Sequence, residues 1–332
     1  MALKHVTPRG LLLAPSTVPR ADWLRIRREG IGSSDVAAIL GVAEHSTALH
    51  VWYDKTGQLD LDQDAGEAAM WGNLLEEPVA REWCRRNHSS VQRVGIVAHD
   101  AATWKRCTLD RKVDSCPMNM VDRCALEVKT RSAWVAGRWK RGLPEDVHAQ
   151  VAWQMNVTGY DHIHLACLIG GQEFRQFTVH RDHDLEATIN QIVTPFWTDN
   201  VMGEIAPGVD VAHPDDEVEL ANRVHPSRTG VIEVPFVALE SFLAYQEAGA
   251  LESAAKARKA GAKAKLVHAL GGGDTATMDG HLMYTYLPTT RRSVDLDKLA
   301  DEFPAAYEAC VSENASPTIR LSAKFDAGSK RA

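Results

Sequence analysis

Several broad classes are excluded by what the chain does not have. No apolar run approaches the roughly 20 residues of a membrane-spanning helix. The short apolar stretch Leu11-Leu12-Leu13-Ala14, behind Lys4 and Arg9, falls short of a secretory leader. Surplus positive charge is missing too. With 37 Lys and Arg against 44 Asp and Glu, the net charge is −7. That excludes a uniformly basic nucleic-acid binder and leaves room only for a locally positive cleft or ring. The six cysteines include no C-x-x-C pair. Cys107, Cys116 and Cys124 therefore do not suggest a zinc or iron–sulfur centre, and all six read as reduced thiols of a cytoplasmic protein. None of the 14 histidines shows ligand spacing; His162 and His164 alternate along a strand and read as structural. There is no internal repeat.

What is present is ordinary globular material, 45% hydrophobic and 24% charged over 332 residues, enough for one large domain or two. Residues 22–40 read as two short helices broken at Gly30-Ile31-Gly32, with Ser33, Ser34 or Asp35 available as a cap. Residues 47–55 and 66–86 also read as helices, the second half buried through Met70, Leu74, Leu75, Val79 and Trp83. Strands follow over 91–99, 104–109 and 124–130, with a turn-rich insert over 115–119. A crossover helix runs from 143 to 158, then a hairpin turns at Gly170-Gly171 and a further helix spans 182–201. The acidic, Pro- and Gly-containing stretch from Glu204 to Glu219 marks the expected boundary, between domains 1–210 and 211–332. Beyond it come a long Ala- and Lys-rich helix over 238–270, two short strands and a final helix. The basic run from Lys256 to Lys265 reads as a solvated face.

The sharpest chemical signal is Leu126-Glu127-Val128-Lys129-Thr130 at the end of an apolar strand. Alternation along a strand places Glu127 and Lys129 on one face. A carboxylate beside an ammonium can hold a divalent cation while the ammonium orients water or neutralises developing charge. The backbone carbonyl of Val128 offers a further oxygen. A second carboxylate must come from a neighbouring strand, and Asp110, with sixteen residues between it and Glu127, is preferred over Asp114. Glu76, on the helix over 66–86, is a third carboxylate, with Glu77 one step round toward solvent. Hard oxygen donors of this kind suit Mg²⁺, with Mn²⁺ able to substitute. Trp134, Arg138, Trp139, Lys140 and Arg141 mix aromatic and basic residues just after that strand.

Five motifs in order then resemble the YqaJ and lambda-exonuclease group of PD-(D/E)XK nucleases. They are Trp23-Leu24-Arg25-Ile26-Arg27 with Gly30-Ile31-Gly32-Ser33-Ser34-Asp35, Trp71-Gly72 with Glu76, Asp110, Glu127-Val128-Lys129, and the glutamine-bearing helix from His148 to Met155. Leu109 and Arg111 depart from the Pro and Gly that many relatives carry around the aspartate. The segment Arg291-Arg292-Ser293-Val294-Asp295 is similar to the tail of longer members.

The resemblance implies an α+β fold: a restriction-endonuclease-like core, a central mixed sheet flanked by helices, with a smaller and mostly helical C-terminal extension. It implies metal ligands at Glu76, Asp110, Glu127 and the Val128 carbonyl, a catalytic Lys129, and Gln150 positioning water or the lysine. Arg27 and Ser34 would hold a 5′-terminal phosphate. Beside what the resemblance implies, Thr130 at the end of the E-x-K strand and Arg138 in the aromatic and basic run after it are the expected further DNA contacts. The resemblance further implies a ring-shaped homo-oligomer, trimer or tetramer, that digests one strand of linear double-stranded DNA from the 5′ end and hands the 3′ overhang to a single-strand annealing protein. The motifs of the core also occur in PD-(D/E)XK endonucleases and junction resolvases, and a non-catalytic end-binding module is the remaining alternative.

Overall fold

The computed structural model describes residues 3–61, 66–118, 124–312 and 317–322, which form two units, Met1–Arg228 and Thr229–Ala332. The first opens with strand β1 (Gly10–Pro15), helices α1 (Arg20–Arg28), α2 (Ser33–Ile39), α3 (Ala48–Lys55) and α4 (Gly66–Asn87). Strands β2 (Val91–Gln92), β3 (Gly95–His99), β4 (Ala102–Thr108), β5 (Arg111–Val113) and β6 (Cys124–Arg131) follow. A 3₁₀ helix over Ala133–Trp139 leads into α5 (Glu145–Thr158), the strands β7 (His162–Ile169) and β8 (Glu173–His180), and α6 (His183–Pro195). A π-helical turn over Phe196–Val201 and helix α7 (Pro214–Val224) complete the unit. The insert expected over 115–119 is present as far as Met118; Asn119 lies outside the described residues.

The fold is α+β. Strands β2-β5-β6-β7-β8 form a mixed sheet in which only β6 and β7 run parallel, and β1-β3-β4 form a second, antiparallel sheet. The parallel pair follows from α5, because two parallel neighbours need a crossover long enough to return the chain to the same end. Being covered on both faces, β6 is buried from Cys124 through Val128 and β7 almost throughout. Helix α5 is buried on nearly every side from Val147 to Thr158 and shares the main core with Ile163, Leu165 and Ile189. Gly170 and Gly171 both take positive φ, 59° and 71°, which the tight turn between β7 and β8 requires.

Helix α4 covers the other face of the mixed sheet, but only through its second half. Val79, Ala80 and Trp83 pack on Leu126, Val128 and Ala166, whereas Met70, Trp71 and Leu74 are exposed. The half-buried helix expected from its apolar spacing is therefore buried at one end rather than along one stripe, with Pro78 at the division.

The boundary also differs from the one read at residues 210/211. Helix α7 belongs to the first unit, where Leu220, 3% exposed, joins the main core and Val224 packs against it. The acidic residues Asp215, Asp216 and Glu217 lie in the helix's first turn, where they complement its dipole rather than forming a linker. In the second unit, α8 (Ala238–Leu270) has no buried residue, a hairpin joins β9 (Thr275–Met278) and β10 (His281–Thr285), and α9 (Leu296–Glu302) and α10 (Pro304–Cys310) follow. Among the described residues no helix is long and apolar enough to cross a membrane.

A chain ending at Arg228 is expected to unfold cooperatively, and one ending at residue 210 to unfold at lower denaturant because it uncovers the α7 face. Leu220→Ala should cost about 2–5 kcal/mol in the same chemical denaturation experiment. Equal midpoints for the 1–210 and 1–228 chains would return the boundary to residue 210.

Candidate active site

Alternation along β6 sets the site. Cys124, Leu126 and Val128 turn toward α4, while Ala125, Glu127 and Lys129 turn toward α5. Glu127 is 2% exposed, and its carboxylate is met on both oxygens. Oε1 accepts from Lys129 Nζ at 2.5 Å and Gln150 Nε2 at 2.6 Å, and Oε2 accepts from Gln154 Nε2 at 2.8 Å. Gln150 Oε1 closes the ring by accepting from Lys129 Nζ at 2.9 Å. A buried carboxylate is tolerated only when paired and hydrogen-bonded in this way. Two of the three ammonium hydrogens of Lys129 are engaged by these bonds, which leaves one for the cavity.

Asp110 stands just before β5, where pairing with β6 stops at Arg111 opposite Leu126. The next outward-facing amide of β6, Val128 N–H, donates to Asp110 Oδ2 at 2.7 Å. The N–H and C=O of one strand residue leave on the same side, so the Val128 carbonyl opens on the edge that Asp110 occupies. Burial and the neighbouring Glu127 carboxylate push Asp110 well above the usual carboxylate range; Lys129 opposes them, and Glu76 adds to the rise. Such a shift marks a carboxylate cluster short of positive charge. Glu76, Asp110, Glu127 and the Val128 carbonyl are hard oxygen donors around one cavity of about 560 Å³, and they fit Mg²⁺ or Mn²⁺.

Glu76 reaches the cavity from α4, but it is also bound to Arg111, whose Nη1 donates to Glu76 and whose Nη2 donates to Glu77 at 2.8 Å. Arg111 is 3% exposed. Glu77, expected to be a solvent residue only, is thus half of a clamp. It stays exposed, with its pKa lowered chiefly by the hydrogen bond from Arg111. Asp114 is exposed at the far end of β5, where it accepts from Gln92, and it does not line the cavity.

The break at Gly30 brings the α1–α2 corner to the same cavity. A side chain at Gly30 would meet Trp104 O at 2.3 Å, and only glycine lets Ile31 pair with β4 there. Arg27 donates to Ser34 Oγ, and to Asp35 Oδ1 at 3.3 Å, and its guanidinium lies 5.3 Å from the Trp23 ring centroid. Burial would raise Asp35, but Lys55 at 2.7 Å and Arg27 hold it below its ordinary value. Asp35 also accepts the Gly32 N–H at 2.9 Å, which fastens the start of α2. Arg27, Ser34 and Thr130 all line the cavity. Arg138 does not; it pairs with Glu44 at 2.7 Å and Asp146 at 3.6 Å. Arg131, two residues beyond Lys129 on β6, is the basic residue that lines the cavity instead. Trp139 is core, whereas Trp134 is 96% exposed.

Comparison with known proteins gives the relationship. Residues 22–161 match the model of the YqaJ-like viral recombinase domain. The uncharacterized protein YqaJ of Bacillus subtilis (strain 168) is 30% identical over 311 residues, covering 91% of this chain and 94% of that protein. The chain belongs to the YqaJ family. Similar solved structures include an alkaline exonuclease (LHK-Exo) from Laribacter hongkongensis, at 19% identity and TM-score 0.46, over 55% of this chain and 93% of that one. A phage-related exonuclease from Haemophilus somnus 129PT is 12% identical with TM-score 0.38, over 55% of this chain and 99% of that one.

Within this YqaJ-family site, sequence reasoning missed Gln154, Arg111 and Arg131. Gln154 was visible in principle, four residues after Gln150 on one helix face. Arg131 continues the Glu127–Lys129 alternation. The burial of Arg111 left no mark in the sequence.

The raised pKa of Asp110 has a thermodynamic consequence. A carboxyl that titrates higher in the native than in the unfolded chain gives the native state an extra proton. Its contribution is favourable below the ordinary aspartate range and is lost as pH rises through the raised native value. In the presence of chelator, Asp110→Asn should therefore melt higher than wild type at neutral pH, with the gap closing in acid. Equal or lower melting of Asp110→Asn at neutral pH would mean that Asp110 is not crowded.

Proposed function

We propose that this protein is a metal-dependent nuclease that digests linear double-stranded DNA from the 5′ end and leaves 3′ single-stranded overhangs for recombination by annealing. The observation that carries this reading is the convergence of Asp110, Glu127, the Val128 carbonyl and Lys129 on one cavity edge, with Glu76 opposite. Membership of the YqaJ-like recombinase family supports it.

Glu76, Asp110, Glu127 and the Val128 carbonyl would hold Mg²⁺, or Mn²⁺ in its place. When bound, the cation polarises a phosphodiester oxygen and lowers the pKa of coordinated water. The chain's own residues do the rest. Gln150 and Gln154 fix the Glu127 carboxylate, so its free lone pairs are aimed before substrate arrives. Lys129, anchored by Glu127 and Gln150, presents its remaining hydrogen to an attacking water or a phosphate oxygen. Arg27, oriented by Asp35 and beside Ser34, offers a planar fork of donors to a terminal phosphate. Thr130 and Arg131 line the path onward from the site, and exposed Trp134 offers a stacking face. A ring-shaped homo-oligomer, trimer or tetramer, acting in the cytoplasm with a single-strand annealing protein, completes the proposal on family resemblance.

The deciding assay uses end-labelled linear duplex with Mg²⁺, against circular duplex and against linear duplex with 5′-hydroxyl ends. Degradation from 5′-phosphorylated ends is expected, and cutting of the circle would make the enzyme an endonuclease. Asp110→Asn, Glu127→Gln and Lys129→Ala should each lower the rate at least about a hundredfold, and Asp114→Asn should leave it unchanged. Arg27→Ala removes a charge-assisted contact of roughly 1.5–3 kcal/mol, or about ten- to a hundredfold, on phosphorylated ends alone. An Arg27→Ala enzyme that keeps the full preference for phosphorylated ends would remove Arg27 from the phosphate pocket.

A further inference from the structure

On the α4 side of the mixed sheet, opposite the cavity, four buried side chains converge that the nuclease reading does not use. Cys116 follows the end of β5, Cys124 opens β6, and His162 and His164 lie two apart on β7. Cys124 and His162 are register partners in the parallel pair, so both stand on one face, and alternation puts His164 beside them. The group comes from three places along the chain.

Three of the four ligand atoms stand at the distances of a coordination shell. Cys116 Sγ lies 3.3 Å from His162 Nε2 and 3.6 Å from His164 Nε2, and the two Nε2 atoms are 3.2 Å apart. All four ligand atoms lie within 4.8 Å of one another. Tetrahedral Zn²⁺, with bonds of about 2.3 Å to sulfur and about 2.0–2.1 Å to nitrogen, sets ligand atoms roughly 3.3–3.8 Å apart. The three distances among Cys116, His162 and His164 match that spacing, and Cys124 stands close enough to complete the shell with a small closing movement. Two sulfurs with two imidazole nitrogens in a tetrahedron is the donor set that zinc prefers.

The surroundings agree. His164 Nδ1 lies 3.1 Å from Thr178 Oγ1, the outer hydrogen bond that fixes a ligating imidazole with Nε2 toward its metal. Cys116 is 8% exposed, Cys124 and His162 are fully buried, and His164 is 4% exposed. Without an ion the two Nε2 atoms would share one N–H between them, whereas an ion accepts both lone pairs. His162 Nδ1, in contrast, has no such outer partner among the described residues.

We propose that Cys116, Cys124, His162 and His164 bind one structural zinc ion. It would tie Cys116, just after β5, to the start of β6 and to β7. Strand β5 begins just after Asp110, and β6 carries Glu127. Trp83 of α4 packs on the His164 ring with centroids 5.1 Å apart, so the ion would also brace the helix that bears Glu76. The shell is closed, with four protein ligands, and this assigns it to structure rather than to hydrolysis.

The test is metal analysis of the full-length protein purified from zinc-supplemented medium and dialysed against a mild chelator. One zinc per chain is expected, without iron or inorganic sulfide. The double variant Cys116→Ser with Cys124→Ser should lose it, and the double variant Asp110→Asn with Glu127→Gln should keep it. If the cysteine variant does not fold, Co²⁺-substituted wild type decides. A tetrahedral visible spectrum with thiolate charge-transfer bands supports the site; an octahedral spectrum without them overturns it. Zinc-free wild type, zinc retained by the cysteine variant, or iron with sulfide would each overturn it as well.

Discussion

Strand β6 has two faces and is buried on both, and most of the structure is arranged around that constraint. A strand covered by α5 on one side and α4 on the other can carry polar groups only where each is satisfied from the covering helix or a neighbouring strand. On the α5 side the demand is met by Gln150 and Gln154, one turn apart, which grip the Glu127 carboxylate with Lys129. On the α4 side Cys124 meets Cys116 and the two β7 histidines, beside Leu126 and Val128 packed on Val79 and Trp83. One eight-residue strand thus separates a carboxylate chemistry from a thiol and imidazole chemistry, and neither set reaches the other.

The carboxylate side is under electrostatic tension by design of its sequence. Asp110, Glu127 and Glu76 crowd one cavity, and the cations that answer them, Lys129 and Arg111, are held rigidly at its edges. Asp110 carries the strain as a raised proton affinity. A protein that keeps such a cluster accepts a loss of native stability, the usual circumstance where binding rather than folding has set the residues.

Much of this was legible in the sequence because it depends on short-range rules. Period-two alternation placed Glu127 beside Lys129, the Gly30–Gly32 break separated α1 from α2, and Gly170-Gly171 marked the β7–β8 turn. What stayed hidden depends on tertiary placement. Composition made the stretch after Glu204 look like a linker, yet Leu220 and Val224 carry α7 into the core. Arg138 follows the E-x-K strand closely, but the 3₁₀ turn hands it to Glu44 and Asp146. Arg111 stood out only as a departure from a glycine, since nothing local signals a buried guanidinium. The missing C-x-x-C pair hid the cysteine–histidine cluster, because its ligands are assembled by strand register rather than by a knuckle of chain.

Helix α4 carries one more consequence, a mechanical one. Its buried anchor begins at Val79, and its first half carries no buried residue. A helix anchored in this way has the geometry of a lever with its pivot near Val79. At about 1.5 Å of rise per residue, Glu76 sits roughly 4.5 Å from Val79 and Gly66 roughly 20 Å. A swing that moves the far end at Gly66 shifts Glu76, which lines the cavity, by only about a quarter as much. Any displacement of the exposed first turns therefore reaches the carboxylate on the same rod much reduced.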